Sequence, residues 1–562
     1  MSYTAPIKDY LFNLQHIAGL DQIAQIPGFE DAGMETAQAV IEECARFNQE
    51  VVAPLNWDGD LNPSSWSDGK VTTTPGFKEA YLQYREAGWQ ALQHPADFGG
   101  QNLPKAIGAA CVEILNAANL SFALCPLLTD GAIEALLTAA SDDLKATYLD
   151  KLISGEWTGT MNLTEPQAGS DLAAVRSRAE PQPDGTYKVF GTKIFITYGE
   201  HDMADNIVHL VLARVQGAPE GVKGISLFVV PKFLVNADGS LGARNDVHCV
   251  SIEHKMGIKA SPTAVLQYGD HGGAVGYLVG QENRGLEYMF IMMNAARYAV
   301  GVQGISVSER AYQKATQYAR DRVQSRPVDG SIKASAPIIH HPDVRRMLMT
   351  MRSVTQGCRA MATVAAAAYD AAHAHPDASV RKQNQAFYEF LVPLIKGYST
   401  EMSLEVTSLG VQIHGGMGFI EETGAAQHLR DARIAAIYEG TNGIQSLDLV
   451  SRKVPMNGGA AVRTYLDELR ETVKAIQAKN DPAFGTTGAK LSEAVESLDR
   501  ATTWLLSKLD KEPQAALAGA TPYLRLFGNA AGGCMLADEA LAALRLGDGE
   551  PATRVEIGRA HV

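Results

Sequence analysis

The feature that most constrains this chain is a change of hydrophobic texture, made twice. From Leu115 to Leu152 apolar residues recur at helical spacing with an Ala-rich filling, and most of the first 157 residues read as helix. The Asp-, Gly-, Ser- and Pro-rich stretch from Asn56 to Pro75 interrupts them as a loop. Near Trp157 the texture turns to β. Thr186 to Phe190, Lys193 to Thr197, Ile207 to Val215 and Ile225 to Val230 are β-branched or aromatic runs, and Asp184-Gly185 and Asp238-Gly239 are hairpin-type turn dipeptides. After Leu286 helical spacing returns and continues to about Val454, with Leu286, Met289, Phe290, Met293 and Val300 on one stripe. Pro-Met-Asn-Gly-Gly at 455–459 separates a last helical segment. The order helical, β, helical, helical predicts an α+β chain, mostly α, with several cores. The expected divisions are 1–79 as an N-terminal extension, 80–157 as an N-terminal helical domain, 158–285 as a middle antiparallel β domain, 286–454 as a C-terminal four-helix bundle and 460–562 as an additional helical domain.

Composition excludes some functions. Hydrophobic residues make up 46% and charged residues 20%, a globular balance that disfavours disorder and coiled coil. A net charge of -14 disfavours nucleic acid as a partner. The final segment, with nearly equal numbers of basic and acidic residues, has no basic footprint either. No apolar run is expected to reach the roughly 18 residues of a membrane span. The start, MSYTAPIKDY, lacks the basic and apolar regions of a secretory signal. Six scattered cysteines without a CxxC pair point to a reducing compartment, with neither a disulfide framework nor a zinc site, and no metal ligand is predicted. The expected setting is the bacterial cytoplasm.

Four segments carry candidate chemistry. Leu163-Thr164-Glu165-Pro166-Gln167-Ala168-Gly169-Ser170-Asp171 opens the β region. Its small residues would let backbone N–H groups approach a ligand, although a plain turn is the simpler reading of this stretch alone. In Lys193 to Thr197, Phe195 and Thr197 lie two apart on one strand face. They could stack on a flat ring and bond its edge, or be a core Phe and a structural Thr. In Asn294-Ala295-Ala296-Arg297 the arginine falls on the buried stripe and needs either a carboxylate or a ligand. The fourth segment joins Gln412 to Phe419 with Ile437 to Gln445. Glycines again clear space, Asn442 and Gln445 resemble a helix-capping pair, and Glu439 stands between an aromatic residue and a glycine.

Taken together, LTEPQAGSD, QIHGGMGFIEE and IYEGTNGIQ, in this order and context, make the chain resemble the acyl-CoA dehydrogenase family over nearly its whole length. The extended start and the segment after Val454 resemble the long bacterial branch that includes 3-methylmercaptopropionyl-CoA dehydrogenases. The resemblance implies an acyl-CoA dehydrogenase-like fold with FAD held between the β domain and the C-terminal helices. It implies that Leu163, Thr164, Gly169 and Ser170 line the flavin, with Ser170 also near the CoA moiety. Phe195 and Thr197 would pack on the isoalloxazine ring. Gln412, Gly415 and Gly416 would form the pyrophosphate-side loop reached from a neighbouring subunit, Arg322 would contact the pyrophosphate, and Thr441 the adenine half. Asn294, Arg297, Tyr438 and Gly440 would serve the substrate. Glu439 matches the catalytic base. The family's alternative position for the base, on the helix that carries Arg297, is here Ala296, which cannot take a proton. Two departures stand out. Val323-Gln324-Ser325-Arg326-Pro327 replaces the usual Thr or Gln and Phe-Gly after Arg322, and Gly443 stands where many shorter members have Gln.

The implied activity is α,β-dehydrogenation of a fatty acyl or 3-methylmercaptopropionyl thioester to the trans-2-enoyl-CoA, in a homodimer. Glu439 would take the α proton, FAD would accept the hydride, and electrons would pass to electron-transfer flavoprotein. The enolate oxygen would be held by the Glu439 N–H and a flavin hydroxyl. An oxidase that reduces O2 and a DNA-binding flavoprotein relative are the alternatives. The final Glu556-Ile557-Gly558-Arg559-Ala560-His561-Val562 breaks the Ala/Leu pattern and matches a translated sequencing adapter, so the natural chain is expected to continue differently after Arg554 or Val555.

Overall fold

The computed structural model describes residues 3–479 and 481–546, so the expectation about the last residues lies outside them. The chain divides into two compact units. One comprises 51–103 and 119–296, and the other 1–50, 104–118 and 297–562.

The first unit is built on an eight-stranded sheet. Its strands are β1 (Trp157–Asn162), β2 (Arg178–Pro181), β3 (Tyr187–Thr197), β4 (Asn206–Val215), β5 (Ser226–Pro231), β6 (Val247–Ile252), β7 (Thr263–Tyr268) and β8 (Ala274–Leu278). They lie in the order β6-β7-β3-β8-β5-β4-β1, with β2 paired to both β3 and β4. The pairings are antiparallel except β1 with β4 and β2 with β4. Of the antiparallel pairs, β2–β3, β4–β5 and β6–β7 join strands consecutive in the chain, whereas β3–β7, β3–β8 and β5–β8 are made by longer crossings. Both expected turns form. Asp184 Oδ1 accepts the Thr186 N–H at 3.0 Å between β2 and β3, and Asp238 Oδ1 accepts the Ser240 N–H at 3.0 Å between Phe233–Val235 and Leu241–Arg244. Val189, Ile196, Val211, Phe228, Val230 and Leu266 form the sheet's core.

The helix Leu120–Ala139 packs on this sheet. A methyl group at Gly159 of β1 would stand 2.4 Å from Ala132 Cβ, so glycine is what permits the approach. This helix corrects the expectation about apolar runs. At 20 residues and mean hydropathy 1.5 it is long and apolar enough to cross a membrane. Its apolar surface is satisfied inside the protein instead, with 83% of that stretch buried. Asp130 and Glu134 interrupt the run by eye but do not lower the average enough to exclude it.

The second unit is helical. It contains α1 (Ile7–His16), α2 (Met34–Phe47), α3 (Lys105–Ala118), most of α4 (Gly285–Asp321), α5 (Pro342–Ala374), α6 (Ala378–His414), α7 (Ala425–Ala435), α8 (Asn442–Asp448), α9 (Ala460–Lys479), α10 (Thr487–Lys508) and α11 (Ala520–Leu546). Small residues set its closest approaches: a Cβ at Gly304 of α4 would meet the Ser399 carbonyl oxygen of α6 at 2.7 Å. A buried ionic cluster ties five helices together. Arg359 of α5 donates to Glu113 of α3 at 2.6 Å and to Glu309 of α4 at 2.8 Å. Arg352 pairs with Asp9 of α1, the Tyr10 hydroxyl donates to Glu113 at 3.0 Å, and Gln356 donates to Glu539 of α11 at 2.8 Å. The N-terminal segment is therefore wired into the core of this unit, and Phe12 packs on Ala542 and Ala543. The six cysteines are free and buried.

Candidate active site

Glu439 lies in the turn between α7 and α8. Its φ is +55° and that of Gly440 is +82°, two successive left-handed residues that fold the chain back sharply. A side chain at Gly440 would put its Cβ 2.7 Å from Gln445 Nε2, so both the conformation and the crowding demand glycine. Polar groups fix the turn from two sides. Lys396, fully buried on α6, donates through Nζ to the Gly440 carbonyl at 2.8 Å and to Asn442 Oδ1 at 3.1 Å. Gln445 Nε2 donates to the same Gly440 carbonyl at 3.1 Å. Thr400 Oγ1 donates to Asn442 Oδ1 at 3.0 Å, and Asn442 Nδ2 donates to Glu401 at 3.0 Å.

The helix start differs from expectation. Thr441 is the cap, its Oγ1 accepting the Ile444 N–H at 3.3 Å. Asn442 lies inside the helix with its amide turned into the core, because Lys396 and Glu401 on α6 offer it better-matched partners than a helix N–H does. Thr441 thus has a structural task beside its expected ligand contact.

The electrostatics of Glu439 favour a proton carrier. Burial pushes its carboxyl up to about 7, opposed by Arg297 and Lys396. Burial also lowers Lys396, to about 7, against the pull of Glu439. Arg297 of α4 is 8% exposed, and its charge too is disfavoured by burial and supported by Asp448 and Glu439. Tyr438 donates to Gln303, whose amide donates to Asn116 at 3.0 Å, so this ring is anchored to α4 and α3. Asn294 is half-buried one turn before Arg297, and Ala296 is buried. Lys396 and Gln303 escaped the sequence reading, which gave Gln445 only a capping role. Lys396 sits in an apolar helical run as its one cation, which was the available signal.

At the end of α6 Gln412, Gly415 and Gly416 are exposed, and no atom lies within 4 Å of a Cβ built on either glycine. Met417, Phe419 and Ile420 follow as an exposed apolar group, Phe419 at 86%. Arg322 is exposed just past α4, its guanidinium 3.4 Å from Gln324 Oε1. The replaced sequence after it forms a loop closed by the Val323–Pro337 bridge.

In the β unit, Glu165 and Lys193 form a buried ion pair of 2.8 Å, with side chains 3% and 0% exposed. Glu165 also accepts the N–H groups of Arg176 at 2.8 Å and Ser177 at 3.1 Å, and Lys193 donates to the Leu163 carbonyl at 3.0 Å. Burial opposes the Glu165 charge, but Lys193 and these N–H groups bring the carboxyl down to about 2. This pair holds the Leu163–Asp171 loop, whose Leu163 and Thr164 are half-buried and whose Gly169 and Ser170 are exposed. A β-bulge places Phe195. Opposite the β7 stretch Ala264–Leu266, β3 spends an extra residue between Lys193 and Ile196, so both of those point inward. Phe195 is left facing out at φ +60° and 59% exposed, with Thr197 half-buried beyond it.

Known proteins agree with this architecture. Family models described as the acyl-CoA dehydrogenase N-terminal, middle and C-terminal domains match residues 34–156, 160–270 and 283–454, and one described as acetyl-CoA dehydrogenase C-terminal like matches 465–556. A 3-methylmercaptopropionyl-CoA dehydrogenase of Ruegeria pomeroyi is 53% identical over 97% of this chain and 92% of its own length. The chain belongs to the acyl-CoA dehydrogenase family. Among solved structures, Caenorhabditis elegans ACDH-11 in complex with C11-CoA aligns with this dehydrogenase at TM-score 0.78 and 20% identity, covering 100% of it and 91% of the worm chain. An acyl-CoA dehydrogenase of Bacillus anthracis complexed with FAD aligns at 0.75 and 22%, covering 96% and 87%. At these identities the two structures speak to the fold of the dehydrogenase.

Proposed function

We propose that this dehydrogenase oxidises an acyl-CoA thioester to the trans-2-enoyl-CoA, with Glu439 as the base and 3-methylmercaptopropionyl-CoA as the preferred substrate. The observation that carries the reaction is the Glu439 carboxyl, half-buried on a strained turn and raised to about 7, where it can exchange a proton near neutral pH. The substrate rests on the Ruegeria relative.

The residues present fit FAD. An exposed aromatic held on left-handed backbone in the middle of a strand suits ring stacking, and the open space over Gly169, Gly415 and Gly416 suits close backbone approach. Leu163, Thr164, Gly169, Ser170, Phe195 and Thr197 would hold the flavin, Gln412, Gly415, Gly416 and Arg322 its pyrophosphate, and Thr441 its adenine half. When bound, FAD supplies the hydride acceptor that no side chain provides.

The chain's own part is proton chemistry and positioning. Glu439 takes the α proton of the thioester, while its backbone N–H draws charge onto the thioester oxygen. Arg297 and Lys396 keep part of the base ionised against burial. Ser170, Asn294, Arg297, Tyr438 and Gly440 orient the substrate. Electron-transfer flavoprotein is the proposed acceptor of the electrons. The exposed Met417, Phe419 and Ile420 support a homodimer through the end of α6. The limits proposed for the middle β domain and the C-terminal bundle are those given above, with residues 1–50 assigned to the helical unit instead of to an extension, and the site is proposed to act in the bacterial cytoplasm. Ferricenium-coupled turnover across acyl-CoAs of graded length, with 3-methylmercaptopropionyl-CoA included, tests the substrate. The sulfur-containing thioester should give the highest kcat/KM, and a higher value for a straight chain would displace it.

A further inference from the structure

The sheet unit carries a cluster that the dehydrogenase chemistry does not use. Asp246 precedes β6, His248 is the second residue of that strand, and His271 sits in the loop between β7 and β8. Oδ2 of Asp246 accepts the backbone N–H groups of His271 at 2.7 Å and Gly273 at 3.1 Å. That leaves Oδ1 aimed at both imidazoles, 3.2 Å from His271 Nδ1 and 3.3 Å from His248 Nε2. The three donor atoms lie within 4.8 Å of one another, and the rings meet nearly edge to face, 5.4 Å between centroids.

We infer that Asp246, His248 and His271 form a binding site for a divalent transition-metal ion, zinc in the first instance. Ligands about 2.0–2.1 Å from a tetrahedral zinc stand roughly 3.3 Å apart, which matches both carboxylate–imidazole separations. The gap between the two imidazole nitrogens is no more than 4.8 Å. His271 is 77% exposed and can close it by a side-chain rotation. The carboxylate is pre-oriented: its side chain is 12% exposed and one oxygen is committed to two N–H groups, the outer hydrogen bonding that metal-ligating carboxylates use. Two imidazoles and one carboxylate favour zinc, nickel or copper over magnesium or calcium. An ion held by all three would replace the His271–Asp246 hydrogen bond and leave an open side for water. The site would clamp the start of β6 to the β7–β8 loop. That loop turns on Gly269, Gly272 and Gly273, which all take positive φ.

The test is calorimetric titration of zinc sulfate into tag-free, chelator-treated holoenzyme, with thermal melts alongside. One saturable zinc per chain is expected, with a rise in Tm. His271→Ala should weaken it by at least about tenfold and abolish the Tm shift. His271 is mostly exposed, so this variant should keep its fold and flavin. His248→Ala should behave alike, and His254→Ala, which removes an exposed histidine elsewhere in the unit, should bind zinc as the parent does. No saturable zinc binding would overturn the inference. So would binding that survives both His248→Ala and His271→Ala, or that fails equally in His254→Ala.

Discussion

Two left-handed residues in succession, Glu439 and Gly440, place the base, and Lys396 holds them through the Gly440 carbonyl. Glu439→Gln should keep flavin-loaded protein yet slow flavin bleaching by acyl-CoA on the order of 10²–10⁴-fold, read by stopped-flow absorbance. Bleaching at the parental rate would remove Glu439 from the mechanism. The base works ionised, so kcat/KM should rise with pH through a limb near 7, the level to which burial lifts the carboxyl. Lys396 opposes that rise. Lys396→Met should therefore move the limb to higher pH, whereas a purely structural role for Lys396 would lower the profile without shifting it. Lys396 is not visible in the motif, because it depends on what α6 brings against the turn.

Single elements depend on buried charge in the same way. The Leu163–Asp171 loop is anchored by Glu165 on the buried amine of β3. Lys193→Met leaves that carboxylate without its partner at 3% exposure, and should cost about 3–5 kcal/mol in urea unfolding together with weaker flavin retention. Replacing both partners, as Glu165→Leu with Lys193→Met, should recover much of the loss, since no buried charge then remains. The Glu165 carboxyl sits at about 2 in the fold against an ordinary 4.5. Its contribution is therefore complete above pH of about 4.5 and is lost as pH falls from there towards 2. The sequence shows a Lys among apolar residues in β3. Only the bulge decides that Lys193 and Ile196 share the inner side while Phe195 faces out.

Across the helical unit the Arg359 cluster joins α1, α3, α4, α5 and α11, whose contributing residues run from Asp9 to Glu539. Arg359→Met strands Glu113 in the interior and leaves Glu309 with Arg352 alone. It should destabilise that unit by about 3–5 kcal/mol, seen as a lowered first transition in thermal or urea unfolding. A transition unchanged from the parent would mean that the acids find other partners. The N-terminal residues supply Asp9 and Tyr10 to this cluster, so the segment that reads as an extension is part of a core. No motif marks this, because each contributor is an ordinary charged residue on an amphipathic helix.

The sequence by itself determined the order of helical and β regions, the hairpins at Asp184-Gly185 and Asp238-Gly239, the family, and the candidate base. These follow from short-range periodicity, turn chemistry and local motifs, each carried by a few neighbouring residues. Tertiary structure alone decided that the apolar helix Leu120–Ala139 is buried in protein, that Thr441 rather than Asn442 caps α8, and that Lys396 faces the Glu439 turn. It likewise decided that Asp246, His248 and His271 converge. In every such case the partner that sets a group's charge or hydrogen bond comes from another element. The free energy of burying a polar atom depends on that partner and not on the atom's neighbours along the chain.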